Sequence, residues 1–478
     1  MSVLLINPPY TEKVYGTKQA PSVQPPIGLG YLAAILEKKG IEVKILDANA
    51  EFLKPEEAVE KILSSSAKYI GFTSVTTTTP LIYRLSSLIK EKDRTKIIIV
   101  GGPHVSFTAE QTLKDCPAID IVVRGEGELT LCELINFLKE KKDISRINGI
   151  SFRKNGAVIN TPERELIEDI DKIPFPARHL LPIHLYSPSP LSNVGFKGKK
   201  YARIITTRGC PNQCIFCSSA HFWKIVRLRS AENVMEEIEL LIKKYGVRHI
   251  DFLDDTLTLS PERLTKICKT IIDKNLNIKW SCYSRVNTIT PELVNLMKKA
   301  GCKVIQFGVE SGNQEILNSI KKGITLEAVR RAAKIVRKAN IKLMCDFMIG
   351  LPGDTKETVN QTIDFAIEIK PNIAAFCITT PFPGTALYNE YRNLGLLKDG
   401  YIWGKMNLHE KTEFFTPTLS SSDLQQLYFK AYRRFYYRPA YALQTIKWLI
   451  KNPYEIKNFY FLGKTLIIRQ LRNILKRK

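Results

Sequence analysis

Three cysteines lie within eight residues in the segment Thr207-Arg208-Gly209-Cys210-Pro211-Asn212-Gln213-Cys214-Ile215-Phe216-Cys217. Three thiolates so close can ligate one compact metal centre. Zinc sites usually take four ligands, often as paired Cys-x2-Cys. Iron–sulfur clusters take cysteine thiolates as well, normally four. Three cysteines leave one iron open, and an open iron can bind a substrate or cofactor directly. Carboxylates recur downstream at strand ends: Asp254 and Asp255 after His249-Ile250-Asp251-Phe252-Leu253, then Glu310 and Ser311 in Gln306-Phe307-Gly308-Val309-Glu310-Ser311-Gly312. The Asp254-Asp255 pair could equally cap a helix near Pro261. In Asp346-Phe347-Met348-Ile349-Gly350-Leu351-Pro352-Gly353, glycines such as Gly350 let the backbone approach a ligand. A second set lies near the amino terminus: Ser74, Thr76 and Thr77, then Gly101-Gly102-Pro103-His104, then Gly125-Glu126-Gly127-Glu128.

The elements that must position these residues alternate. Strands are expected at Val3–Ile6, Val43–Leu46, Tyr69–Val75, Lys96–Val100 and Ile119–Val123, with helices at Gly28–Lys39 and Leu81–Lys90. Apolar strands alternating with helices predict a parallel sheet covered on both faces, a doubly wound α/β unit over 1–140. Ligands of such sheets sit at the carboxyl ends of the strands. Over 141–200, Lys154-Asn155-Gly156 predicts a hairpin turn, and Pro174, Pro176, Pro182, Pro188 and Pro190 predict an extended linker. Over 201–395 the alternation resumes with six strands, Ala202–Thr206, His249–Leu253, Ile278–Ser284, Val304–Gly308, Lys342–Ile349 and Ala374–Thr379. Helices such as Ala231–Tyr245, Pro291–Ala300 and Leu326–Ala339 lie between them. Six units predict a partial (β/α)6 barrel. Residues 396–478 form a small, helical, basic carboxyl-terminal region, with a helix expected at Asp423–Tyr437.

The Cys-x3-Cys-x2-Cys spacing, with the aromatic Phe216 before its last cysteine, resembles the radical S-adenosylmethionine superfamily. The resemblance implies a four-iron–four-sulfur cluster on Cys210, Cys214 and Cys217, whose open iron chelates S-adenosylmethionine. One electron then cleaves the sulfonium bond, and the resulting 5′-deoxyadenosyl radical abstracts hydrogen from an unactivated carbon. Phe216, Asp254 and Asp255, Glu310 and Ser311, and Gly350 stand where the family contacts that cofactor, over residues ~200–385. The amino-terminal unit resembles the cobalamin-binding domain of the cobalamin-dependent branch. Cobalamin contacts are then implied at Ser74, Thr76, Gly101, Gly102, His104, Gly125 and Glu126. The Asp-x-His-x-x-Gly signature of a histidine lower ligand is absent, since no histidine has Asp two places before it.

Methylation or rearrangement of an unactivated carbon is the expected reaction. The alternative is radical cyclisation or carbon–carbon bond formation on a lipid without methyl transfer. A transfer-RNA methylthiotransferase would need three further cluster cysteines, and only Cys116 and Cys132 precede the linker. A non-catalytic cluster-bearing sensor is a further class. Seven cysteines outside the motif have apolar neighbours, and Cys282, Cys345 and Cys377 fall on expected barrel strands.

The net charge is +24 and the isoelectric point about 9.5. Such a balance fits an anionic partner or a lysine-rich solvated surface. No aromatic pattern of an RNA-binding module accompanies it, so nucleic acid is not expected. The expected partners are a small-molecule or lipid substrate and an electron donor such as ferredoxin or flavodoxin. Sparse cysteines and no secretory signal predict a reducing cytoplasm. No apolar run of 18 residues predicts a spanning helix. In 440–478, Leu466, Ile467, Leu471, Ile474 and Leu475 fall on one helical face among many cations, which predicts peripheral membrane contact.

Overall fold

The computed structural model describes residues 2–9, 23–188, 200–397, 414–460 and 463. Two parallel sheets organise it. The first has strands β1 (Val3–Asn7), β2 (Val43–Asp47), β3 (Tyr69–Thr73), β4 (Ile97–Gly101) and β5 (Ile121–Val123), extended by β6 (Ile150–Lys154) and β7 (Ala157–Asn160). Their order is β2-β1-β3-β4-β5-β6-β7. Strands β1 to β5 run parallel, and β6 and β7 are antiparallel. The chain turns back between β1 and β3, and such a switch point opens a crevice at the carboxyl ends of the strands. Strand interiors such as Ile6, Ile70 and Val100 are buried on one face, and Val3, Tyr69 and Ile99 on the other. Both faces are therefore dry, as the unbroken apolar runs required.

The predicted hairpin belongs to this first sheet. Phe152 of β6 pairs with Ile121 of β5, so the sheet runs through Asn160 and not only to residue 140. The proline-rich stretch that follows is packed, in contrast to the extended linker expected. Arg178 is buried and bonds Glu237 at 2.7 Å and the Arg203 carbonyl at 2.7 Å. Tyr186 donates to Asp47 at 2.8 Å. Pro176 lies against Gly30, where a Cβ would stand 2.9 Å from the proline ring. Prolines here fix a path across the seam between the sheets. Pro190 lies outside the described residues.

The second sheet holds β8 (Lys200–Ile204), β11 (Val247–Phe252), β12 (Lys279–Ser284), β13 (Cys302–Glu310), β14 (Lys342–Ile349) and β15 (Ile373–Ile378) in sequential parallel order. That is the partial (β/α)6 barrel. Between β8 and β11, β9 (Thr207–Arg208) and β10 (Arg227–Leu228) form a short antiparallel ladder. Helix starts are capped as sequence chemistry dictates: Ser230, Ser260, Thr290, Thr325 and Thr355 each accept from a backbone N–H of the first turn. Ser260 caps the Pro261 helix, so the Asp254-Asp255 pair is released from that role. Helix Ser421–Tyr436 packs along the edge strand β15, with Tyr432 and Tyr436 bonded to Phe376 and Ala374, and helix Pro439–Lys451 follows it; Leu424, Phe435 and Tyr436 join the barrel core. Among the described residues no helix is long and apolar enough to cross a membrane.

Candidate active site between the two sheets

The β9–β10 ladder closes a loop that carries all three motif cysteines. Gly209 starts it with φ +95°, and a Cβ there would stand 2.7 Å from the Ile225 carbonyl oxygen. Cys210, Cys214 and Cys217 are free thiols. Asn212 Nδ2 donates to the Cys210 sulfur at 3.3 Å, and the Ser219 N–H to the Cys217 sulfur at 3.4 Å. Burial pushes the Cys217 thiol up to about 11, and Asp255, Cys214 and Cys210 add to the rise. Thiolates so crowded require a cationic centre to be stable there. Among the described residues no three His, Cys, Asp or Glu are gathered tightly enough for a single ion. A cubane has a different demand, since its cysteines ligate separate irons. The donor set fits a cluster of that kind. Phe216 packs on the barrel core beside it, with the Lys322 ammonium 5.7 Å from its ring centre.

The two neighbouring aspartates separate. Asp254 is fully buried and accepts from the Thr206 N–H at 2.6 Å, the Thr207 N–H at 2.9 Å and the Thr206 hydroxyl. It ties the barrel to the base of the cysteine loop and has no side-chain oxygen left to face a ligand. Asp255 accepts from Ser219 Oγ and lines a cavity with Cys217.

That cavity, about 480 Å³, joins the two sheets. One wall is the carboxyl end of the first sheet, with Leu5, Thr73, Ile99, Gly101 and Val123. The other is the cysteine loop, with Cys217, Ser218, Phe222 and Trp223. Gly28 and Gly125 line it too, and a Cβ at either would meet nothing within 4 Å. Side chains there would fill the cavity, so glycine keeps a cradle open. The residues fit a large planar cofactor at the switch point. No histidine lines the cavity, so no imidazole reaches a cobalt from this wall.

Of the residues singled out for cobalamin, Gly101, Gly102, Gly125 and Glu126 line the cavity. Ser74, Thr76 and His104 do not. The Ser74 hydroxyl is shared with Thr79 at 2.8 Å, and Thr76 meets His104 Nδ1 at 3.1 Å. Burial holds the His104 imidazole down to about 4, hence neutral. These three residues build the turn beneath the cradle. Gly102 completes it with φ +111°, and a Cβ would stand 2.5 Å from the Ser74 carbonyl oxygen. Gly102→Ala should therefore lower stability by roughly 2 kcal/mol or more, read from urea midpoints of the apoprotein. An unchanged midpoint would mean the turn is not strained.

Glu126 also carries a connection that the sequence hides. It accepts from Arg227 at 2.9 Å, from the Ile167 N–H at 2.9 Å and from Arg208, and Arg208 also bonds Glu128. All four charged side chains are buried. Burial opposes the Glu126 charge, but Arg227 and Arg208 more than offset it and hold the carboxyl low. Arg208, two residues before Cys210, also stacks 5.3 Å from the Trp223 ring centre.

Inside the barrel, Glu310 closes β13 at φ +71°, an uncommon conformation for a side-chain-bearing residue, and accepts from Lys322 at 2.7 Å. Ser311 turns away, with its hydroxyl 3.2 Å from Thr362 and accepting from the Asn313 N–H. Gly350 donates its N–H to Asp354 at 3.0 Å, and a Cβ there would stand 2.5 Å from Leu424. It admits the carboxyl-terminal helix to the barrel end. Cys282 and Cys345 are sealed in the core, and the Cys377 sulfur bonds the Phe347 carbonyl at 3.6 Å. Cys116 and Cys132 lie in separate apolar clusters, which removes the second cluster site of a methylthiotransferase.

Asp346, close enough to Glu310 to feel its charge, carries chemistry that the sequence does not signal. It accepts from Gln306 at 2.7 Å, and burial, with the Glu310 charge, pushes it up to about 7. An aspartic acid raised in the folded state binds more protons folded than unfolded. Its stabilisation is complete below the unfolded value and fades as pH rises to about 7. Melting temperatures of the wild type should fall from pH 4 to about 7 more steeply than those of Asp346→Asn. Parallel curves would contradict this.

Comparison with known proteins follows the same division. The radical SAM superfamily matches residues 204–366, and the B12 binding domain matches residues 16–135. The chain is 37% identical, over all of its length and 98% of the relative's, to a Pyrococcus horikoshii protein named uncharacterized methyltransferase PH0819. It is 29% identical, over 97% of its length and 85% of the relative's, to the anaerobic magnesium-protoporphyrin IX monomethyl ester cyclase of Rubrivivax gelatinosus. The radical S-adenosylmethionine methyltransferase TsrM of Kitasatospora setae, solved with cobalamin and a [4Fe-4S] cluster, shares the fold. Its TM-score is 0.71 at 20% identity, over 92% of this chain and 90% of that one.

Proposed function

The chain belongs to the radical S-adenosylmethionine superfamily, in the branch with an amino-terminal B12-binding domain, and from that premise we propose that it methylates an unactivated carbon of a small-molecule substrate. One observation carries the reading. A single cavity has Cys217 and Asp255 on one wall and the glycine cradle of the first sheet on the other. A cofactor held in the cradle would therefore stand against the cysteine loop with no protein layer between.

When bound, the cluster supplies the electron that cleaves S-adenosylmethionine, and the corrinoid supplies a methyl carrier. Cys210, Cys214 and Cys217 would hold the cluster, with N–H donors on the Cys210 and Cys217 sulfurs tempering their charge. Asp255, oriented by Ser219, offers a carboxylate to the cofactor's ammonium group. Asp254 fixes the height of the loop. Glu310, pinned by Lys322, offers an acceptor for ribose hydroxyls. Phe222 and Trp223, packed edge-to-face at 4.8 Å, give the cavity an apolar aromatic wall beside the cysteine loop. Asp346, largely protonated below about pH 7, can donate a hydrogen bond or receive a proton on deprotonation.

Radical cyclisation without methyl transfer is the second reading, favoured by the likeness to the cyclase. An electron donor of the ferredoxin or flavodoxin class and a cytoplasmic setting complete the proposal. The test is anaerobic reconstitution with hydroxocobalamin and methyl-deuterated S-adenosylmethionine, fed with extract from a deletion strain. Methylation predicts deuteromethyl product and S-adenosylhomocysteine. Product without label, alongside 5′-deoxyadenosine, would replace methylation by cyclisation. No corrinoid retained after gel filtration would remove the methyl carrier.

A further inference from the structure

At the far end of the barrel lies a second cavity of about 490 Å³. Asn340 and Lys370, which line it, come shortly before β14 and β15 in the chain, whereas the cysteine loop follows β8. The strands are parallel, so this cavity lies at their amino ends and the cluster loop at their carboxyl ends. Arg337, Lys370, Arg438, Lys447 and Lys451 line it, together with Trp448, and no carboxylate does. None of the five cations takes part in an ion pair among the described residues.

Two donors there are buried without an acceptor among the described residues: Arg438 Nη1 and Trp448 Nε1. The rest of Arg438 is well held, stacked 4.5 Å from the Phe435 ring centre and 5.8 Å from that of Tyr441. A buried unpaired donor costs on the order of 1–3 kcal/mol. Two in one cation-lined cavity point to an anion that accepts from both. Beside the cavity, helix Pro439–Lys451 exposes Leu443 at 60%, Ile446 at 53% and Ile450 at 75%. These positions share one helical face, with Lys447 and Lys451 flanking it. Apolar residues flanked by lysines are the pattern of a helix lying in a lipid headgroup layer. The tail beyond Gly463, with its own apolar stripe, lies outside the described residues.

We infer that this cavity binds the phosphate of an anionic phospholipid, with Leu443, Ile446 and Ile450 entering the acyl boundary. The phosphate accepts from Arg438 and Trp448 and lies among Lys447, Lys451 and Lys370. The cluster and cobalamin face of the barrel then points away from the lipid surface.

The test is co-sedimentation of the full chain with vesicles of phosphatidylcholine alone or mixed with phosphatidylglycerol. Binding is expected to the mixed vesicles only and to weaken with salt. Lys447→Gln/Lys451→Gln, both solvent-facing changes, should weaken it about fivefold per lysine, and Arg438→Gln should weaken it as well. Mixed vesicles should change the tryptophan fluorescence of the wild type but not that of Trp448→Phe. Equal pelleting of the lysine double variant overturns the inference. So does displacement of vesicles by inorganic phosphate, which marks a free-phosphate site, or lysine-dependent binding of single-stranded RNA without vesicle binding. Cleavage of S-adenosylmethionine should be unchanged in every variant. Failure of that cleavage in the wild type, with vesicle binding intact, counts against the reaction and supports a separate lipid site.

Discussion

Alanine at Cys210, Cys214 and Cys217 together is expected to lower reductive cleavage of S-adenosylmethionine by more than about 1000-fold, or roughly 4 kcal/mol of barrier. The loss has one cause. The sulfurs are free thiols on a loop closed by β9 and β10, and in the proposed function they are the donors of the cluster. Without them no electron reaches the sulfonium bond. The fold should survive, because Cys210 and Cys217 are only half-buried and the loop is anchored by Asp254 and Arg208 instead. Far-ultraviolet dichroism and the urea midpoint of the apoprotein should therefore match the wild type. Mössbauer spectra of reconstituted protein should show a cubane only in the wild type. An undiminished cubane in the triple variant would falsify the assignment of the ligands.

Arg208→Leu should be the most destabilising single change at the seam. Arg208 is the shared partner of Glu126 and Glu128, and all three are nearly dry. Removing the cation leaves Glu128 buried with no arginine and Glu126 with Arg227 alone. Breaking a buried ion pair from one side costs about 3–5 kcal/mol. The effect should also be directional. Glu126 and Glu128 flank Gly127 on the cobalamin-side wall, and Arg208 sits two residues before the first cysteine. Loosening the clamp should lower corrinoid retention more than cluster content. Arg208→Lys should recover part of the stability, since one ammonium restores charge but not the forked contact with two carboxylates. Urea denaturation of the apoprotein and gel filtration with hydroxocobalamin measure the two effects. A variant with normal stability and normal corrinoid retention would refute the clamp.

The same residues show where sequence reading succeeds and where it stops. The cysteine loop was legible because its three thiols are neighbours in the chain, and cluster chemistry constrains spacing directly. The strands of both sheets were legible because dry strands need unbroken apolar runs. Asp254 and Asp255 were legible only as a pair. Their division of labour depends on Thr206 and Thr207, about half a hundred residues earlier, whose N–H groups claim one carboxylate completely. Glu126 read as a cofactor contact because it stands in a glycine-rich strand end. Its link to Arg208 spans 82 residues and leaves no local trace.

Sequence by itself determined the local chemistry here: which thiols are adjacent, which runs must be buried, and which turns need glycine, because each depends on neighbours in the chain. Tertiary structure alone decided that the hairpin joins the first sheet, that the proline stretch is packed, and that one cavity touches both halves. It also left the cations around Trp448 facing one another with no carboxylate among them. Those outcomes are set by which distant groups satisfy one another's hydrogen bonds and charges once water is excluded, and no spacing along the chain records that.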